Sequence, residues 1–132
     1  MFRLFKYYLA KGLIGGIVLD SDFLSLIEES KALNSSVFSL IRLQLLSSIA
    51  GVGKDSVTYR ELKAALQVTD GALYTNLKFL EETGYIASKR ITLEGKELES
   101  YLITQEGLLA WEQIRNWLKK LVECGVKNNE SG

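Results

Sequence analysis

A mainly α fold carrying one β-hairpin is predicted by three observations along the chain. Two short segments with apolar stripes, 58–66 and about 70–83, are separated by only a brief turn, which is the helix-turn-helix plan. The second ends at Gly84 and leads into 85–91 and 98–103, two strand-like runs around the polar, glycine-bearing Thr92–Glu97. Helix-turn-helix followed directly by a hairpin is a winged helix-turn-helix. Beyond it a long helix from Thr104 carries Trp111, Ile114, Leu118 and Leu121 at 3-4-3 spacing, the seam of a helix that packs on another.

Each element has a local cause. Phe2, Phe5 and Leu9 share one helical face near the N-terminus, with Arg3, Lys6 and Lys11 elsewhere. We read this as an arm packed on the body or on a second subunit, with interfacial membrane attachment as the weaker alternative. Ser21 is expected to cap a helix over Asp22–Leu33, and Asn34-Ser35-Ser36 to break and re-cap the chain. A strongly apolar helix over Val37–Ala50, with Phe38, Ile41, Leu45, Leu46 and Ile49 recurring, serves as the scaffold and ends at Gly51. Residues 51–56 form a loop whose Lys54 reads as a solvated charge. Thr58 and Glu61 have the spacing of a capping box ahead of Leu62, Ala65 and Leu66. Gln67-Val68 turns the chain, and Thr69 or Asp70 caps the second helix. There Leu73, Leu77 and Leu80 form the inner stripe, and Gly84 supplies the left-handed stop. The last helix is expected to stop at Gly125, leaving a polar tail.

Composition removes whole classes of function. The 132 residues suit one domain, and 47% hydrophobic with 24% charged residues is ordinary for a globular chain. No apolar run approaches the ~18 residues that suggest a membrane span, and the single cysteine fits a reducing cytoplasm, where the protein is expected. The absence of histidine excludes Ser-His-Asp and Cys-His catalysis and His-ligated metal; one cysteine, Cys124, excludes an internal disulfide. Neither a Walker loop nor a GxGxxG is present. We therefore expect no enzyme, no cofactor and no metal. Formal net charge is zero, and residues 54–96 carry seven Lys/Arg against six acids. A nucleic-acid face must then arise from segregation of charge, because no excess exists.

Three runs carry a family resemblance: Thr69-Asp70-Gly71-Ala72-Leu73; Leu77 to Ile86, LKFLEETGYI; and Tyr101 to Gly107, YLITQEG. In this order and distance they resemble the small winged-helix transcriptional regulators related to MarR and ArsR proteins, over roughly Ser35–Leu121. The resemblance implies a DNA-binding homodimer joined through its terminal helices. Its recognition helix, about 70–83, would enter the major groove, and its wing, about 91–98, would lie on flanking DNA. It also divides the chain into an arm and helix (1–34), a winged helix-turn-helix (35–104) and a C-terminal dimerisation helix with its tail (105–132). The family commonly has Asn and His where this chain has Ala72 and Asn76.

With the three leucines inward, the outer face carries Gly71, Thr75, Lys78 and Glu82, with Tyr74 beside them. Gly71 permits close backbone approach; Tyr74 and Thr75 offer hydroxyls, and Lys78 offers charge. Thr69 sits at the helix start, Asn76 nearer the core edge, and Glu82 limits groove entry to the first two turns. Lys89, Arg90 and Lys96 on the wing, and Arg60 and Lys63 on the first helix of the motif, are candidates for phosphate contact. Strand alternation sends Lys89 and Arg90 to opposite faces. Each basic residue taken singly also reads as a solvated surface charge. The Trp111, Ile114, Leu118, Leu121 seam reads as a dimer interface, against the simpler role of closing the monomer's own core. The competing function is a winged helix used for protein–protein assembly, which neutral charge and Glu82 permit. The sequence does not name an effector, an operator or the sign of regulation.

Overall fold

The computed structural model describes residues 21–130, the side chains of 125–130 excepted. The expectations for the N-terminal arm lie outside the described residues. In chain order the elements are α1 (Ser21–Ser30), a 3-10 turn (Ser35–Val37), α2 (Leu40–Gly51), β1 (Val57–Thr58) and α3 (Tyr59–Leu66). There follow α4 (Asp70–Glu82), β2 (Ile86–Leu93), β3 (Lys96–Ile103) and α5 (Gln105–Glu130). They fall into two compact units, one of 34–114 and one whose described part is 21–33 with 115–130.

The 34–114 unit is the winged helix. Its sheet has the order β1-β3-β2 and is antiparallel throughout. Register runs from Ile86 opposite Ile103 to Leu93 opposite Lys96. This leaves Glu94 and Gly95 as a two-residue turn with φ of 53° and 76°. Positive φ at both central residues is the hairpin turn whose twist matches the flanking strands. The expected six-residue turn is therefore shorter, and both strands longer. β1 adds a third strand to the expected hairpin: Val57 and Thr58 pair with Tyr101 and Ser100.

Most of the core comes from the apolar stripes, although Ala65 is exposed and Ile41 and Leu66 are half-buried. Leu45, Leu46 and Ile49 of α2, Leu62 of α3, and Leu73, Leu77 and Leu80 of α4 are buried together with Ile86 and Ile114. α2 packs against α4 and β3, as a scaffold helix should. It begins later than expected. Asn34 Oδ1 accepts the Ser36 N–H at 3.2 Å and caps the 3-10 turn, and Ser39 Oγ accepts the Arg42 N–H at 3.2 Å and caps α2. Two caps five residues apart divide the single expected helix start, burying Val37 and leaving Phe38 exposed.

α5 starts from a tied corner. Thr104 Oγ1 accepts the Gly107 N–H at 3.0 Å and donates to the Gly84 carbonyl at 2.6 Å, while the Thr104 N–H bonds the Tyr85 carbonyl at 3.1 Å. A Cβ on Gly107 would lie 1.9 Å from the Tyr85 oxygen, so only glycine lets the helix sit this close. The glycine of the YLITQEG run thus has a packing reason.

In the other unit α1 ends at Ser30, short of Leu33, because Lys31, Ala32 and Leu33 direct their N–H groups to carbonyls three residues back. Trp117 Nε1 donates to the Leu26 carbonyl at 2.8 Å, and Lys120 pairs with Glu29 at 3.1 Å. The backbone of α5 continues past Gly125 to Glu130; a glycine inside a helix costs only ~1 kcal/mol and need not end it.

Candidate nucleic-acid interface

The recognition helix is held by local chemistry at both ends. At its start Thr69 Oγ1 accepts the Ala72 N–H at 3.1 Å. At its end Gly84, with φ of 87°, lets the Tyr85 N–H reach the Leu80 carbonyl at 3.0 Å. On the preceding helix the capping box is complete: Glu61 N–H bonds Thr58 Oγ1 at 3.0 Å, and Thr58 N–H bonds Glu61 Oε1 at 3.3 Å.

The turn between α3 and α4 is braced by a three-residue cluster. Gln67 takes the left-handed conformation, φ 54°, and Lys63 Nζ donates to the Val68 carbonyl at 2.6 Å. Lys63 also pairs with Asp70 at 3.3 Å, and the Tyr59 hydroxyl donates to Asp70 Oδ1 at 3.0 Å. The Tyr59 hydrogen bond, then the Lys63 ammonium, hold the Asp70 carboxyl below its ordinary range. Burial first, and Asp70 second, push the Tyr59 hydroxyl up. Lys63 is thus committed to fixing the helix-turn-helix angle. Arg60, one turn earlier, is exposed.

α4 presents Gly71, Tyr74, Thr75 and Lys78 to solvent on adjoining turns, with Thr69 exposed at the cap. Tyr74 is 58% exposed, unusual for so large a ring, and Lys78 Nζ lies 5.8 Å from its centroid. Glu82 is exposed one turn further on. Asn76 is placed differently. It is half-buried, its Oδ1 accepts from Arg42 Nε at 2.9 Å, and its Nδ2 donates to the Ala72 carbonyl at 2.7 Å. Both ends of that amide are used inside the protein.

On the wing Lys89, Arg90 and Lys96 are all exposed. Lys89 stands opposite Ser100 and Arg90 opposite Glu99, on alternate faces as expected. Arg90 pairs with Glu97 at 3.4 Å and with Glu99 at 3.7 Å, so much of its field is cancelled within the hairpin. Of the seam residues, Ile114 is fully buried in its own chain, whereas Trp111, Leu118 and Leu121 are half-buried. Among the described residues no group of His, Cys, Asp or Glu is arranged to hold a metal ion, and no helix is long and apolar enough to cross a membrane.

One residue of this surface escaped the sequence reading. Arg42 of α2 stacks its guanidinium 3.7 Å from the Phe79 ring centroid, bonds Asn76, and donates from Nη1 to the Ser36 carbonyl at 2.6 Å. A signal was present, since Arg42 is the only charged residue between Lys31 and Lys54.

Comparison with known proteins agrees with this geometry. A family model described as a winged helix DNA-binding domain matches residues 41–122. An uncharacterised protein of Methanocaldococcus jannaschii is 32% identical over 89 residues, 65% of this chain and 95% of that one. Among solved structures, a transcriptional regulator homologue from Pyrococcus horikoshii superposes with a TM-score of 0.64 at 15% identity, covering 75% of this chain and 95% of its own. MepR, a transcription regulator of the Staphylococcus aureus multidrug efflux pump MepA, gives 0.62 at 15% identity, covering 92% of this chain and 82% of its own. The resemblance to small winged-helix regulators is borne out.

Proposed function

Since the chain belongs to the winged-helix DNA-binding domain family, we propose that it is a transcriptional regulator that grips double-stranded DNA as a homodimer. The N-terminal half of α4 enters the major groove. Gly71 lets the backbone approach, Tyr74 and Thr75 meet base edges or phosphates, and Lys78 supplies charge. Arg60, Lys89 and Lys96 touch flanking phosphates, with Arg90 joining when it exchanges its acids for DNA. Residues 35–104 do this work; 1–34 and 105–132 pair the protomers through Trp111, Leu118 and Leu121. The protein acts in the cytoplasm, without catalysis, cofactor or metal.

The observation that carries this reading is the outer face of α4. Its side chains are exposed and, Lys78 over Tyr74 apart, are unengaged among the described residues, on a helix whose inner face and both ends are fixed. Specificity needs such a rigid presentation, because a base contact made by a mobile helix loses its gain to ordering. The competing reading, a module for protein assembly, draws on Glu82 and on the ion-paired wing.

Selection of duplexes from a random pool separates the two. Two-fold symmetry requires the enriched site to be palindromic, with half-sites about one helical turn apart. Thr75→Ala and Tyr74→Ala should relax the preference at one position in each half-site, by about 1–3 kcal/mol for a good contact. A pool that yields no enriched sequence overturns the reading in favour of assembly.

A further inference from the structure

We propose that Arg42 is a phosphate-binding residue of the DNA interface, and that Asn76 and Phe79 are the residues that aim it. This rests on the DNA-binding reading above and adds to it a residue from outside the helix-turn-helix.

Four observations lead here. Arg42 is half-buried, which raises the cost of leaving its charge uncompensated, yet no carboxylate among the described residues pairs with it. Its contacts are neutral: the Ser36 carbonyl, the Asn76 amide oxygen and the Phe79 face. These use Nε, Nη1 and the plane of the guanidinium, and Nη2 bonds none of the described residues. Asn76 is itself locked by its bond to the Ala72 carbonyl, so the side chain that orients Arg42 is fixed to the recognition helix. Two other cations of this surface are less available, Lys63 being taken by Asp70 and Arg90 by Glu97 and Glu99.

A guanidinium held in one orientation, next to the groove-entering helix and without an acid among the described residues, is suited to a charge-assisted hydrogen bond to a phosphate. Because the stacking and the amide bond are already formed, little side-chain freedom is lost when the anion arrives. In a chain with no net charge such a residue contributes more than a mobile surface lysine. Asn76 then acts as a positioning residue and reads no base.

The test is a salt titration of binding to the selected duplex by wild type, Arg42→Met, Arg42→Gln, Arg42→Lys and Asn76→Ala, with thermal unfolding of each. Arg42→Met and Arg42→Gln should lower the log–log salt slope by about one and weaken binding roughly tenfold on every sequence alike. Arg42→Lys should keep the slope with weaker binding, and Asn76→Ala should do the same with base preference intact. If Arg42→Met or Arg42→Gln lowers the unfolding temperature but keeps the full slope, Arg42 only braces the fold and the proposal is wrong. If wild type binds with normal salt dependence in that case, the DNA-binding reading survives. If wild type itself shows no salt-dependent affinity, both fall together.

Discussion

Substituting Gly107 by alanine should destabilise the fold, although it replaces a poor helix former by the best. In an open helix interior the change gains about 1 kcal/mol. Here the new methyl would stand 1.9 Å from the Tyr85 oxygen, 2.7 Å from its carbonyl carbon and 2.9 Å from Ile103 Cδ1. Two of those atoms are backbone, so no rotamer change relieves the clash, and the start of α5 must retreat by about 1 Å to reach even the closest tolerated contact. The retreat pulls on the Thr104 N–H bond to Tyr85 and on the Thr104 hydroxyl bond to Gly84. Overpacking of this kind costs about 1–3 kcal/mol, and each weakened hydrogen bond adds about 0.5–1.5 kcal/mol. After the propensity gain, a net loss of roughly 1–5 kcal/mol is expected. Urea unfolding followed by circular dichroism measures it, as a lower midpoint at unchanged slope. A Gly107→Ala protein as stable as wild type, or more stable, would refute the close approach of α5 to Tyr85.

Gly71 gives the opposite result within the same chain. A Cβ there meets nothing, so Gly71→Ala should raise stability by up to about 1 kcal/mol in the same unfolding assay. It should nevertheless weaken DNA binding, as gel shift would record. The Asp70 carboxyl should titrate below its ordinary value of 3.8 and move up in Tyr59→Phe, which NMR of the carboxyl region can follow. Because the folded value is depressed, the stabilisation is present above pH 3.8 and is lost as pH falls through the folded value. Tyr101 behaves inversely: burial, then Glu99, pushes its hydroxyl up to about 12, so its contribution is intact below pH 10 and is lost as pH rises towards 12. Alkaline unfolding monitored by tyrosinate absorbance should be displaced accordingly in Tyr101→Phe. Sedimentation of the native chain should give about twice the chain mass, and Leu118→Glu should reduce it to one; a concentration-independent monomer for wild type would remove the dimer.

The legible parts of the fold were those determined by neighbours in sequence. The Thr58–Glu61 capping box, the Leu73, Leu77, Leu80 stripe and the Gly84 stop each rest on residues within one or two turns. Beginnings were less certain where cap-competent residues lie close together. Asn34, Ser35, Ser36 and Ser39 could each start a helix, and the choice of Ser39 depends on burying Val37. Strand β1 was hidden because two residues carry no periodicity, and their partners in β3 lie more than forty residues away. The candidate site divides in the same way. Gly71, Tyr74, Thr75 and Lys78 follow from the inner stripe by helical geometry and are exposed. The commitments of Lys63 to Asp70 and Val68, of Arg90 to Glu97 and Glu99, and of Asn76 to Arg42 are tertiary facts. Arg42 and Asn76 are thirty-four positions apart, beyond the reach of any pattern along the chain.

The central claim is that a chain of zero net charge binds DNA through charge segregated onto one face. The most direct measurement is the salt dependence of affinity for the selected duplex, wild type against Lys78→Ala. Lys78 is exposed on the outer face of α4 and makes no ion pair among the described residues, so its removal should leave the fold unchanged. Wild type should show a steep negative slope, and Lys78→Ala a slope shallower by about one per protomer contact. A wild-type affinity that does not change with salt, or a Lys78→Ala slope equal to that of wild type, would contradict it.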